Sequence, residues 1–399
     1  MPDDPAIFLL FEIGLLIVAA ALGAELFKKL RLPGVIGAII VGLFIGGPGG
    51  LGLVTDLTVI SLLAVLGSVL ILFTTGLEFD AAAFAQVGTK AVLLTTGGVV
   101  LSVLCGYGIG LAVGMGWQAA FLLGAVLAPS GTSVIAAMLS NEGVVNTPHG
   151  STLLTAVIVD DIEGILILSI ALGVVAGGPL SVTGLLRVTA VAIVFVLAAI
   201  YIGSRVFPQV IATFERTLSE EVLFALLLGF GLLLAYVATQ VGLAAVTGAF
   251  IMGAMIPYRK VGEKLVHRLI MMKEIFAAIF FTSIGLVISP VGLVAALPVG
   301  LAILGVALVA RLAGGWASGR LAGFRGKTLW ALAVGLAVRA EMSFIIAYEG
   351  VAMSIVDHEF LTVTAIAVIG SMIVVLPVFS ALMKGIAACP RPCQSDAPT

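Results

Sequence analysis

Val159-Asp160-Asp161-Ile162-Glu163 sets two adjacent carboxylates, and a third one helical turn on from the first, inside an otherwise apolar run. Carboxylates so placed can hold either a proton or a small monovalent cation, because both bind the same hard oxygens. Ala337-Val338-Arg339-Ala340-Glu341 puts a fixed positive charge into a second apolar run, and an arginine keeps its proton in any protein setting. Ala128-Pro129-Ser130-Gly131-Thr132-Ser133 interrupts a third. Proline removes a backbone donor and glycine loosens the turn, so carbonyls, amides and hydroxyls are freed there to line an enclosed cavity. An acid pair, a counter-charge and an unwound backbone together make an ion site. Neighbouring residues on a helix diverge by about 100°, so Asp160 and Asp161 cannot serve one ligand as equals. One is expected to face Arg339 and the other the cavity. Glu163 is either a further ligand or a group facing the exit path, and Glu341 either neutralises the positive end of a half-helix in its own span or pairs with a cation.

The elements that must carry these residues are membrane spans. Of 399 residues 61% are apolar and only 10% charged, against about a quarter charged in soluble domains. That excludes a soluble globular protein, and a net charge of −2 supplies no basic field for nucleic acid. The acidic start Met1-Pro2-Asp3-Asp4 does not suit a cleaved signal peptide. Apolar runs punctuated by Gly, Pro and charge predict an all-α polytopic membrane protein with thirteen spans: 6–27, 33–47, 58–77, 91–113, 117–139, 151–176, 184–204, 220–239, 243–256, 270–287, 291–310, 328–349 and 361–383. With the N-terminus outside and the C-terminus cytoplasmic, nearly all lysines and arginines fall on the inner side, as retained positive charge requires. Arg187 snorkels from the outer end of its span, and Arg339 alone is expected within the membrane. Counted from the inner side at about 1.5 Å per residue, the aspartates of the sixth span lie about 15 Å deep, at the midplane.

The chain also repeats itself. Val35-Ile36-Gly37-Ala38-Ile39-Ile40-Val41-Gly42 in the second span matches Val246-Thr247-Gly248-Ala249-Phe250-Ile251-Met252-Gly253 in the ninth. Leu72-Phe73-Thr74-Thr75-Gly76-Leu77 in the third likewise matches Phe280-Phe281-Thr282-Ser283-Ile284-Gly285-Leu286 in the tenth. The fifth and twelfth spans share the same spacing. Seven spans separate each pair, an odd number, so the copies are inverted in the membrane as in many secondary transporters. Cys389 and Cys393 in the tail lack the companion ligands of a zinc site, and no disulfide framework exists.

These residues resemble the monovalent cation:proton antiporters, particularly the Nap-type and Kef-type branch. The resemblance rests on Ala156-Val157-Ile158-Val159-Asp160-Asp161-Ile162, the Pro129 to Ser133 break, Phe281-Thr282-Ser283-Ile284-Gly285-Leu286 and Arg339-Ala340-Glu341, and it covers nearly the whole chain. It implies the Na+/H+ antiporter fold, an inverted repeat with two crossed broken helices. A dimerisation scaffold would comprise 1–80 and 215–290, an ion-translocating core 88–176 and 291–385, a linker helix 182–206 and a short cytoplasmic tail 386–399. It implies a homodimer in an inner cell membrane that exchanges Na+, or K+ as in Kef-type members, for protons as the core moves against the scaffold. No cofactor and no enzyme activity are implied beyond the transported Na+ or K+ and H+. Asp161 would be the main carrier of cation and proton, Asp160 the partner of Arg339, and Ser130 and Thr132 would lie near the ion. Relatives with lysine in the twelfth span differ from this chain at Arg339. Kef-type members have Arg-Gly-Glu and a nucleotide-binding domain where this chain has Arg-Ala-Glu and a short tail, so no fused domain is expected. A sodium-coupled organic anion symporter is a competing reading that needs a roomier, neutral cavity. An intramembrane aspartyl protease would need its two acids face to face from separate helices.

Overall fold

A computed structural model describes residues 5–176 and 219–387, apart from positions 31, 47–48, 55–56, 78–80, 146 and 257–262, with isolated residues between 190 and 213. Most of the seventh predicted span, and Cys389 and Cys393 in the tail, lie outside the described residues. Fourteen helices run through the rest. They are α1 (Pro5–Lys29), α2 (Gly34–Ile45), α3 (Leu57–Leu77), α4 (Ala81–Ala112), α5 (Trp117–Val126), α6 (Thr132–Asn141) and α7 (Pro148–Ala176). The second half comprises α8 (Glu220–Gln240), α9 (Ala245–Met255), α10 (Glu263–Val287), α11 (Pro290–Leu321), α12 (Gly326–Gly335), α13 (Glu341–Ala352) and α14 (His358–Ala387).

Long helices are what such runs must become, because lipid offers no partner to a free amide and a helix satisfies its own. Seven of the described helices are long and apolar enough to cross a membrane. The predicted fifth span is two short helices, α5 and α6, parted at Leu127–Gly131, and the twelfth is α12 and α13, parted at Leu336–Ala340. Local signals set several ends. Pro33 stands at the start of α2, Glu220 and Glu221 occupy the first turn of α8 where the helix dipole favours acids, and Asp357 Oδ1 accepts the Phe360 N–H at 3.2 Å at the head of α14.

Some boundaries differ from expectation. α10 starts at Glu263, inside a stretch whose charges read as a loop. Leu265, Val266 and Leu269 form a buried stripe there at helical spacing, and packing of that stripe outweighs the polar residues between. α11 continues to Leu321, well past the expected end at 310. Glu12 of α1 is wholly buried.

The chain divides into two compact units, Met1–Asp80 with Leu172–Gly292, and Ala81–Ala171 with Leu293–Thr399. In the first, α3 packs on α9 and α10, and α2 packs on α1 and α10. The internal repeat is visible in these contacts. A Cβ on Gly42 would lie 2.2 Å from the Thr282 carbonyl oxygen, and one on Gly253 would lie 2.0 Å from that of Phe73. Gly42 and Gly253 correspond in the repeat, and Phe73 and Thr282 lie in its matched third and tenth spans. The matched glycines therefore serve one purpose, backbone-to-backbone approach of α2 to α10 and of α9 to α3. In the second unit, α5 lies against α4 and α13, and α14 against α12 and α13. Leu122, Leu123, Leu139, Leu168, Phe344 and Phe379 fill its interior without exposure.

Candidate functional site

Both helix breaks belong to the second unit, and they meet. Gly131 N–H donates to the Val338 carbonyl at 3.0 Å, and a Cβ on Gly131 would stand 2.3 Å from the Ala340 Cβ. Only glycine lets the two broken segments touch at this point. Four helix ends are thereby brought together: the carbonyl ends of α5 and α12, and the amide ends of α6 and α13. Each end leaves orphan backbone groups carrying partial charge, which must be satisfied by side chains.

Charged residues do so in a definite pattern. Arg339, 1% exposed, donates through Nη1 to the carbonyls of Ala128 at 3.3 Å and Pro129 at 3.2 Å, just beyond the end of α5. Its Nη2 reaches Ser102 Oγ at 3.3 Å and the Ala307 carbonyl at 3.5 Å. Its backbone N–H donates to Ser371 Oγ at 2.9 Å. Arg311 Nε donates to the Leu336 carbonyl at 3.1 Å, beyond the end of α12. Glu341 accepts from Ser133 N–H at 2.9 Å through Oε1 and from Ser133 Oγ at 2.8 Å through Oε2, so it covers the positive end of α6. Ser343 Oγ donates to the Val126 carbonyl at 2.8 Å.

The two aspartates take different partners, as their divergence on α7 requires. Asp160 Oδ2 accepts from Ser130 N–H at 2.5 Å and also from the Ser130 hydroxyl. Asp160 Oδ1 forms an ion pair with Arg311 Nη2, both side chains being sealed from solvent. Asp161, 2% exposed, accepts at Oδ2 from Thr132 Oγ1 at 2.8 Å, in the first turn of α6. Glu163 is half-buried at the margin and accepts from Thr96 Oγ1 at 2.5 Å.

Asp160, Asp161, Ser130, Thr132, Arg339 and Glu341 are thus gathered around the crossing, with Glu163 farther along α7 and bonded to Thr96 of α4. Two assignments need correction. The ion-pair partner of Asp160 is Arg311, not Arg339, because Arg339 is turned onto the carbonyl end of α5 while Arg311 comes from α11 to meet α7. Glu341 serves a half-helix of the other break, not its own. Arg311 was missed because it follows an apolar run and precedes Arg320, Arg325 and Lys327, and so reads as the first residue of an inner loop. The signal was present in Leu312-Ala313-Gly314-Gly315-Trp316-Ala317-Ser318-Gly319, an uncharged stretch that prolongs the helix past the arginine.

The family profile described as "Sodium/hydrogen exchanger, transmembrane" matches residues 8–385. The chain belongs to this family. It is 28% identical over 372 residues to the Na+/H+-K+ antiporter GerN of Bacillus cereus, covering 92% of this chain and 94% of the relative. It is 26% identical over 361 residues to the Na+/H+ antiporter of Enterococcus hirae, covering 90% and 94%. The fold matches that of the sodium proton antiporter MjNhaP1 from Methanocaldococcus jannaschii with a TM-score of 0.75 at 16% identity, over 96% of this chain and 99% of the other. As a member of the sodium/hydrogen exchanger family the protein is an integral membrane cation/proton antiporter, a transporter and not an enzyme. The site described above is the candidate for where exchange takes place.

Proposed function

We propose that this exchanger moves Na+ against protons by alternating access, with cation and proton competing for Asp161. One observation carries the reading. The sealed cluster at the crossed breaks holds three carboxylates, Asp160, Asp161 and Glu341, against two guanidiniums, Arg311 and Arg339. Fully ionised, it has one uncompensated negative charge in a low-dielectric interior, where such a charge is costly. A single proton or a single monovalent cation closes the balance, and either does so equally well. Mutual exclusion of the two is then sufficient for exchange.

Asp161 is the oxygen donor best suited to the exchanging ion. Asp160 is engaged by Arg311 and twice by Ser130, and Glu341 is engaged twice by Ser133. Thr132 Oγ, beside Asp161, has lone pairs to offer a cation, and so do the carbonyls of the unwound segment. Ser130 acts one step back, by holding Asp160. A net negative site argues against an organic anion as the cargo. Potassium stands second to sodium, since the Bacillus cereus relative is named for both ions.

In this reading the second unit is the moving core and the first a scaffold that dimerises, within a cell inner membrane, with the N-terminus outside and the C-terminus cytoplasmic. The exchange would serve pH homeostasis. The test is cation-driven proton movement in proteoliposomes by wild type and Asp161→Asn, scanning Li+, Na+, K+ and Rb+. Exchange by wild type that is lost in the variant supports competition at Asp161, and the rank order identifies the cargo. Undiminished exchange by Asp161→Asn would remove Asp161 from the mechanism.

A further inference from the structure

Arg311 reaches Asp160 through a gap that one particular residue leaves open. A Cβ built on Gly98 of α4 would lie 3.1 Å from Arg311 Cδ, 3.3 Å from Cζ and 3.2 Å from Nη1. All three atoms belong to the arginine, so the backbone of Gly98 forms the wall against which the guanidinium plane rests. The arginine has little room to yield. Nε is held by the Leu336 carbonyl, Nη2 by Asp160, and the side chain has no exposed surface. One turn along α11 from Arg311 the two helices are already in backbone contact. A Cβ on Gly314 would meet Gly98 Cα at 2.7 Å and the Gly97 carbonyl oxygen at 2.5 Å, and Ser318 Oγ donates to the Leu94 carbonyl at 2.8 Å. Moving α4 and α11 apart to accommodate a larger residue would break this close contact and the Ser318 hydrogen bond.

We infer that Gly98 is a positioning residue for transport: its missing side chain gives the Arg311 guanidinium the space it needs to engage Asp160 and the carbonyl end of α12 at once. The requirement is specific to arginine. A guanidinium is a broad planar fork, whereas a lysine ends in a single compact ammonium on an unbranched stem and would leave the space beside Gly98 partly empty. Position 98 therefore determines which cation can stand at position 311. A methyl group at 98 displaces the guanidinium by a few tenths of an ångström from the position in which it meets Asp160. The pair loosens, and the negative charge beside Asp161 is less well balanced.

This inference rests on the assignment of the crossed breaks as the transport site, and its test separates the two. Wild type, Gly98→Ala, Arg311→Lys and the double variant are compared in proteoliposomes for the KM and maximal rate of Na+-driven proton movement, with thermal unfolding of each in detergent. Gly98→Ala is expected to lower KM and maximal rate together, by about three- to ten-fold, because a less compensated site holds its cation longer. In the Arg311→Lys background the same alanine is expected to cost less than two-fold, so that the cycle shows coupling between the two positions. An equal effect of the alanine in both backgrounds, or none in the wild-type background, overturns the inference while leaving Asp161 as carrier untouched. Loss of exchange by every variant alongside normal exchange by Asp161→Asn would instead overturn the site. Should Gly98→Ala fail to fold, folding is itself the readout. Recovery in the double variant supports the inference, and failure of both shows that Gly98 serves only the approach of α4 to α11.

Discussion

Asp160 and Ser371 hold equivalent places in the two halves of the second unit. Asp160 accepts the N–H of Ser130 from one helix break, and Ser371 Oγ accepts the N–H of Arg339 from the other. Both pairs of positions are related by the spacing of the internal repeat. The architecture is therefore two-fold while the charge is not: one half has an acid where the other has a hydroxyl. Ser371→Ala is expected to leave the Arg339 amide without a partner in a sealed interior, at a cost of about 1–3 kcal/mol. Thermal or denaturant unfolding in detergent measures it. A change within error of zero would mean that another acceptor is ready to hand.

The ion pair between Asp160 and Arg311 is completely buried. Removing one partner strands the other charge, so Arg311→Gln is expected to destabilise the fold by about 3–5 kcal/mol. Asp160→Asn should cost a comparable amount. The double variant strands nothing and is expected to be markedly more stable than the two single losses would sum to. Unfolding of all three supplies the comparison, and simple additivity would show that the pair is not coupled in the folded state.

Thr132 touches Asp161 through one hydrogen bond at 2.8 Å and opens α6. Thr132→Val keeps the shape and deletes that bond together with a hydroxyl oxygen available to the cargo. With Asp161 as carrier, the apparent KM for Na+ should rise roughly three- to ten-fold, as expected for one net hydrogen bond of about 1 kcal/mol. Initial rates across Na+ concentrations give the answer. An unchanged KM would place the ion elsewhere along the crossing.

The acid pair and the first break were legible in the sequence for one physical reason. Charges, proline and glycine in an apolar run are expensive in a bilayer and stand out against it. The second break was harder to see. Leu336–Ala340 contains no proline or glycine, and what opens it is tertiary contact: Gly131 against Ala340, and Arg311 on the Leu336 carbonyl. Pairing was not legible at all. Arg339 and Arg311 are chemically alike, and which one reaches Asp160 depends on how α11 lies against α4, which Gly98 and Gly314 decide by leaving space rather than by making a bond. Glu341 shows the same limit. Its place at a half-helix start was readable, but which amide end it covers depends on the crossing itself.

Arg339 carries the last prediction, because its charge and its shape can be separated. The guanidinium donates to the carbonyls of Ala128 and Pro129, to Ser102 Oγ and to the Ala307 carbonyl, so it joins the end of α5 to α4 and α11. A lysine keeps the positive charge opposite the negative end of α5, but a point-like ammonium cannot span all of these acceptors. Arg339→Lys is therefore expected to retain part of the transport and to lose on the order of 1–3 kcal/mol of stability, as carbonyls of the break lose their donors. Arg339→Gln removes the charge as well, which leaves the carboxylates of the cluster with Arg311 alone, and should abolish exchange. Exchange rates and unfolding of the two variants, measured side by side, distinguish the contributions. If Arg339→Lys matches wild type in both, the helix end needs only a charge, and the fork adds nothing.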